Sequence, residues 1–114
     1  MSFDVRKEKD WLVIDIKDRV DSFSHREFCQ SLDEAVEKGE DRVALQLRDT
    51  RFLSLPTIKH FSGVAEKITQ RGGQFALVGT PEKIKRQIDI FATLDTMEIY
   101  RSKEDWQRLC AINS

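Results

Sequence analysis

Hydroxyl groups at a helix start are the residues of this chain best placed to do chemistry. In the segment Arg51-Phe52-Leu53-Ser54-Leu55-Pro56-Thr57-Ile58-Lys59-His60-Phe61, Ser54 and Thr57 flank a proline at the mouth of a helical pattern. Free N–H groups and the positive end of a helix dipole stabilise phosphate at such a point, so both are candidate phosphorylation sites. A plainer role exists for the same residues. Ser54 suits an N-cap, and Pro56 suits the first helical turn, where a missing N–H costs nothing. Thr57, further into that turn, reads as a surface residue. Leu55 has two readings: an exposed knob suited to a protein contact, or a side chain tucked under the helix as core.

Other chemistries find little footing. His25 falls in the first turn of its helix, and His60 lies off an apolar stripe and is expected to face solvent. Neither is read as having Cys, Asp or Glu at ligand spacing on a shared helical face that would make a metal site. Cys29 and Cys110 read as small buried hydrophobes, without a disulfide or metal role. No Gly-rich phosphate loop, Ser-His-Asp set or paired catalytic carboxylates can be argued from the order of residues, so no enzyme and no cofactor is expected. Lys83, Lys85 and Arg86, with the distant Lys59, are explained by a charged helix face.

The whole chain narrows the classes further. Its 114 residues suit one domain, 1–114, and 39% hydrophobic residues can fill one core. The 19 basic and 20 acidic residues leave a formal charge of -1, which gives no field for nucleic acid or an anionic membrane. No apolar run approaches the roughly 20 residues of a membrane span, and Met1-Ser2-Phe3-Asp4-Val5-Arg6 lacks a signal-peptide pattern. A soluble cytoplasmic protein is the expectation.

Elements that would position the hydroxyls follow from periodicity. Phe3 and Val5, a polar turn Lys7-Glu8-Lys9-Asp10, and the run Trp11 to Ile16 read as two paired strands. Ser24 as N-cap, Glu27 as its capping-box partner and Phe23 stapled on Phe28 open a helix whose apolar face continues through Leu32, Ala35 and Val36 to Gly39. A buried strand, Val43 to Leu47, precedes the central segment, in which Ile58, Phe61, Ala65 and Ile68 share one helical face. Gly72-Gly73 then leads into the strand Gln74 to Gly79. Thr80 as N-cap and Pro81 start a helix with Ile84, Ile88 and Phe91 on one stripe, and Met97 to Tyr100 is a last strand. Ser102 to Asp105 caps a final helix burying Trp106, Leu109 and Cys110. The order implies an α/β fold: a single domain with a mixed β-sheet of about four to five strands, mainly parallel after the first hairpin, and helices packed on it.

The segment Val43 to Leu53 resembles the STAS domain, shared by bacterial anti-sigma factor antagonists and the cytoplasmic tails of sulfate transporters. Its strand ends at an aspartate, Asp49, and a Phe-hydrophobic pair, Phe52-Leu53, follows. The pattern then continues in the family as Asp-Ser-Ser/Thr-Gly-hydrophobic, where this chain reads Ser54-Leu55-Pro56-Thr57-Ile58. Gly72-Gly73 and the helix from Thr80 keep the family's register, and Arg19-Val20-Asp21 is similar to its Gly-Glu-hydrophobic-Asp turn, with Asp18 in place of the glycine. The likeness puts Pro56 at the usual phosphoacceptor position, where no hydroxyl exists.

The resemblance implies a non-enzymatic signalling module that binds an anti-sigma factor kinase or a related regulator. It places the partner contact on Asp21, Ser22, Phe23, Ser54, Leu55, Pro56, Thr57, Ile58, Lys59 and His60, with Ser54 and Thr57 the remaining candidate phosphate acceptors. Two modes of action stay open, constitutive binding and a divergent branch with another partner. A small-molecule sensor, binding a nucleotide or lipid-like ligand between strand ends and helix, is the alternative.

Overall fold

Alternating apolar residues divide each central strand between two cores, and that division sets the architecture. The computed structural model describes residues 3–92 and 94–113, with the backbone alone at 94 and 110–113. Strands β1 (Phe3–Glu8) and β2 (Trp11–Ile16) form an antiparallel hairpin, and β4 (Arg42–Gln46), β6 (Gln74–Val78) and β7 (Glu98–Tyr100) add in parallel, in the order β1-β2-β4-β6-β7. One face, with Ile14, Val43, Leu45, Phe75 and Leu77, packs under α1 (His25–Glu37), α2 (Leu55–Gln70) and α3 (Glu82–Phe91). The other, with Val13, Ala44 and Ala76, is covered by α4 (Lys103–Asn113) through Trp106, whose ring meets Trp11 edge-on at 5.5 Å. The mixed sheet and its helices agree with the expected fold class.

A second sheet was not expected. Asp18–Val20 (β3) and Thr50–Leu53 (β5) pair in parallel, although the sequence reading places them in a turn and a loop. Thr50 Oγ1 donates to the Ile16 carbonyl at 2.9 Å, which ties the ribbon to the end of β2, and the Asp18 amide donates to the Asp49 carbonyl at 3.0 Å, which joins its two strands. Its strands span only three and four residues, too short for alternation to register as a signal.

Helix starts agree with expectation in part. Ser24 holds the N-cap position of α1 as expected, but the reciprocal side-chain bonds join Asp21 and Ser24 instead of Ser24 and Glu27. Asp21 Oδ1 accepts the Phe23 and Ser24 amides at 2.9 and 3.2 Å, and Ser24 Oγ accepts the Asp21 amide at 3.1 Å. Ser24 itself has helical φ/ψ of -101° and -8°, so its side chain makes no cap bond to α1. Phe23 precedes the cap as expected, but it is 93% exposed and makes no staple onto the buried Phe28. Thr80 is not the cap of α3: Pro81 is, and Thr80 Oγ1 is buried without a partner.

Smaller corrections concern turns and faces. Lys7 and Glu8 belong to β1, which leaves a two-residue hairpin turn at Lys9-Asp10. Phe91 and Leu109 are exposed instead of buried, and the Cys110 side chain lies outside the described residues. Gly39, at φ +89°, closes α1 as expected: its amide reaches the Val36 carbonyl and that of Glu40 the Ala35 carbonyl.

Asp18 has φ +64° at the position where the STAS pattern carries glycine. A side chain there is held in the left-handed region, which glycine occupies at no steric cost. Asp18→Gly removes that strain together with an exposed 3.6 Å ion pair to Arg19, which contributes little. It should therefore stabilise the fold by about 0.5–1 kcal/mol in urea denaturation.

Candidate functional site

Two helix starts meet because the strands before them are paired. β3 and β5 run in parallel with Val20 opposite Leu53, and the Ser54 amide continues the ladder by donating to the Val20 carbonyl at 2.9 Å. The turns that follow, Asp21–Ser24 and Ser54–Pro56, therefore leave the same end of the ribbon side by side. Each opens a helix, and α1 packs against α2.

A polar chain runs beneath the two turns. Ser54 Oγ lies 2.7 Å from Thr57 Oγ1, and Thr57 Oγ1 lies 2.9 Å from His25 Nδ1. His25 in turn stands 3.5 Å from Cys29 Sγ, one helical turn on. Thr57 is fully buried, which corrects its reading as a surface residue. The sequence pattern hid this because Thr57 faces α1, a partner 32 residues away at His25, and not its own helix's apolar neighbours. Ser54 holds the N-cap position of α2 as expected, with extended φ/ψ of -66° and 152°. Its hydroxyl, however, bonds Thr57 rather than a helix amide.

The remaining site residues divide by exposure. Ser22, Phe23, Leu55, Pro56 and Lys59 face solvent, while Asp21, Ser54 and His60 are half-buried. Leu55, at 38% exposure, takes the exposed of its two readings. Ile58 is buried in the core, so it supports the surface from below. His60 departs from simple solvent exposure, because its Nε2 bonds Asp33 Oδ1 at 2.9 Å.

Sequence reasoning missed His25 as a link, and missed that Cys29 shares its face. The signal was present in the i, i+4 spacing of His25 and Cys29. Burial pushes the Cys29 thiol up to about 11, with Asp33 adding to the shift, so it stays protonated and unreactive at neutral pH. Among the described residues no group of three or more His, Cys, Asp or Glu is arranged to hold a metal.

A family model for the STAS domain matches residues 2–106. The chain belongs to the STAS domain family. The Thermotoga maritima protein TM1081 has a TM-score of 0.81 and 22% identity, over 94% of this chain and 92% of that one. An anti-sigma factor antagonist from Mycobacterium paratuberculosis gives 0.80 and 18%, over 98% and 93%. The anti-sigma factor antagonist SpoIIAA in its unphosphorylated form gives 0.77 and 10%, over 98% of both chains. Similarity at these identities speaks for the STAS fold. No curated protein sequence matches the chain. Among the described residues no helix is long and apolar enough to cross a membrane.

Two predictions follow from the polar chain and the Asp21 cap. Thr57→Val keeps shape but strips Ser54 Oγ and His25 Nδ1 of their shared partner, and should cost about 1–2 kcal/mol in urea denaturation. Asp21 is held below its ordinary value of 3.8 by the Phe23 amide first, then by the Ser24 amide and hydroxyl and by Arg19. A depressed carboxyl stabilises the fold above its unfolded value and loses that contribution as pH falls through the folded one. Carboxyl NMR should give Asp21 a midpoint below 3.8, with the Phe23 and Ser24 amide shifts moving at the same pH. A midpoint at or above the ordinary value would remove the cap from the account.

Proposed function

We propose that residues 1–114 act as one STAS-type signalling module, without catalysis of its own, that binds an anti-sigma factor kinase or a related regulator. The contact is made by the paired turns, through Asp21, Ser22, Phe23, Ser54, Leu55, Pro56, Lys59 and His60, with Thr57 and Ile58 supporting them from below. One observation carries this reading. Phe23 is 93% exposed on a turn that Asp21 clamps in place, beside a neighbouring turn that exposes Leu55 and Pro56. An apolar side chain exposed on a clamped turn has no return within the fold, whereas it suits an anchor at a protein interface.

Control by phosphate at the turn rests on Ser54. Pro56 has no hydroxyl, and that of Thr57 is buried and already bonded on both sides. A phosphoryl group on Ser54 would break its bond to Thr57 and add about two negative charges beside Leu55 and Pro56.

The test is capture of partners on the purified protein with Phe23→Ser and Leu55→Arg as controls. Both positions are exposed, so the melting temperature should stay within about 2 °C of the parent. Retention of an ATP-binding, kinase-like regulator by the parent, with at least a tenfold loss in either variant, is the expected result. Equal retention by all three would remove the paired turns as the contact. A melting temperature raised by a nucleotide or lipid-like compound, with no protein retained, would favour the sensor alternative.

A further inference from the structure

The five-stranded sheet has two edges of unequal length. β1 lies at one end of the strand order and pairs with β2 alone, over the six residues Phe3–Glu8 and without a break in register. The strand at the other end, β7, spans three. Glu8 and Trp11 close the hairpin across a two-residue turn, so that pair is bonded backbone to backbone. By alternation the amides and carbonyls of Phe3, Val5 and Lys7 point away from β2. Such an edge accepts another strand, and proteins blunt it with a bulge, a proline or charged side chains. β1 has neither bulge nor proline, and its charged residues, Asp4, Arg6, Lys7 and Glu8, are of mixed sign.

Those charges select which strand fits. When two copies of one strand pair antiparallel about a two-fold axis, the axis stands perpendicular to the sheet. Opposed residues then share a face, and the pair is centred on a residue that meets its own copy. Centred on Asp4, Arg6, Lys7 or Glu8, the register sets like charges against each other, which is unfavourable. Centred on Phe3, it leaves residues 4–8 beyond the end of the partner strand. Centred on Val5, which is 49% exposed, it sets Val5 against Val5 and Asp4 against Arg6 of the second copy at two symmetric places. Phe3 then lies opposite Lys7, so the outward amides and carbonyls of all three odd residues find partners. The side chains are free to do this. Asp4 holds only an exposed 3.3 Å ion pair to Lys17, and Arg6 uses Nε and Nη1 on Glu8 and Asp15, which leaves Nη2 available. Lys7 keeps its bond to Glu40.

We propose that β1 is a dimerisation edge: a second copy of this chain adds antiparallel to it, centred on Val5, and joins two five-stranded sheets edge to edge. A formal charge of -1 on each chain opposes the approach little. The surface is separate from the paired turns, to which β1 contributes no residue.

The test is sedimentation equilibrium of the full chain at concentrations up to about 1 mM, which reaches a weak edge contact. A 13.3 kDa monomer in equilibrium with a dimer is expected. Asp4→Arg sets a cation against Arg6, and Arg6→Glu sets an anion against Asp4, so each variant alone should dimerise about tenfold more weakly. An equimolar mixture of the two places opposite charges at both sites and should recover the parent's dissociation constant to within about threefold. Amide exchange on the parent should slow with concentration at Phe3, Val5 and Lys7 and stay unchanged at Asp4 and Arg6. This measurement and Asp4→Arg, at an exposed position, decide the matter if Arg6→Glu fails to fold for want of its bonds to Glu8 and Asp15. Phe23→Ser should dimerise like the parent. A monomer at every concentration, a dimer that both charge variants leave intact, or a mixture no tighter than its components would overturn the proposal. So would loss of the dimer in Phe23→Ser, which would assign association to the exposed turn.

Discussion

The hydrogen bond from the Ser54 amide to the Val20 carbonyl is the constraint on which the site depends. It is the last rung of the β3–β5 ribbon and sets the two helix-opening turns side by side. Their entries are fixed differently. Asp21 clamps the first turn with its carboxylate, while the second is held by an extended Ser54 followed by Pro56. A short ribbon suffices here because Thr50 Oγ1 ties it to the end of β2, while the Asp18 amide closes its own two strands on the Asp49 carbonyl.

Beneath that ribbon, Thr57 replaces a glycine of the STAS pattern and changes what the turn is made of. Glycine there can offer no side-chain bond. Threonine joins Ser54 on α2 to His25 on α1, so that the two helix starts are coupled by side chains as well as by backbone. A buried hydroxyl bonded on both sides is costly to disturb, and the coupling therefore adds rigidity to the turn. Pro56 acts in the same direction by fixing its own φ in the first turn. Both departures from the pattern stiffen the turn, one by a fixed φ and the other by a buried hydroxyl bonded on both sides.

Much of this was legible in the residues, and the failures share a cause. Strands such as Val43 to Gln46 and Gln74 to Val78, buried on both faces, announce themselves as continuous apolar runs, and α1 and α2 show clean stripes. Local periodicity carries no information about which distant element a polar side chain faces. Thr57 was misplaced for that reason, and so was the capping box: Asp21 and Ser24 make as good a local signature as Ser24 and Glu27, and the choice falls to where β3 ends. The ribbon itself escaped because its pairing joins residues far apart in the chain. Leu55 could be placed only by the fold, since its exposure depends on how the start of α2 packs on its neighbours.

Stability and the candidate contact are largely separate in this molecule. Val43, Leu45, Phe75, Leu77, Phe28 and Phe61 are fully buried under α1 and α2, and Trp11 with Trp106 closes the opposite face. None of the exposed residues at the turns belongs to either core. Thr57 and Ile58 are the points of overlap, because they lie under the surface and within the packed helix. Substitutions at Phe23, Leu55 or Pro56 therefore touch neither core and have little effect on folding. Substitutions at Thr57 reach both the turn and the packing of α1 on α2, because its hydroxyl meets Ser54 on one side and His25 on the other.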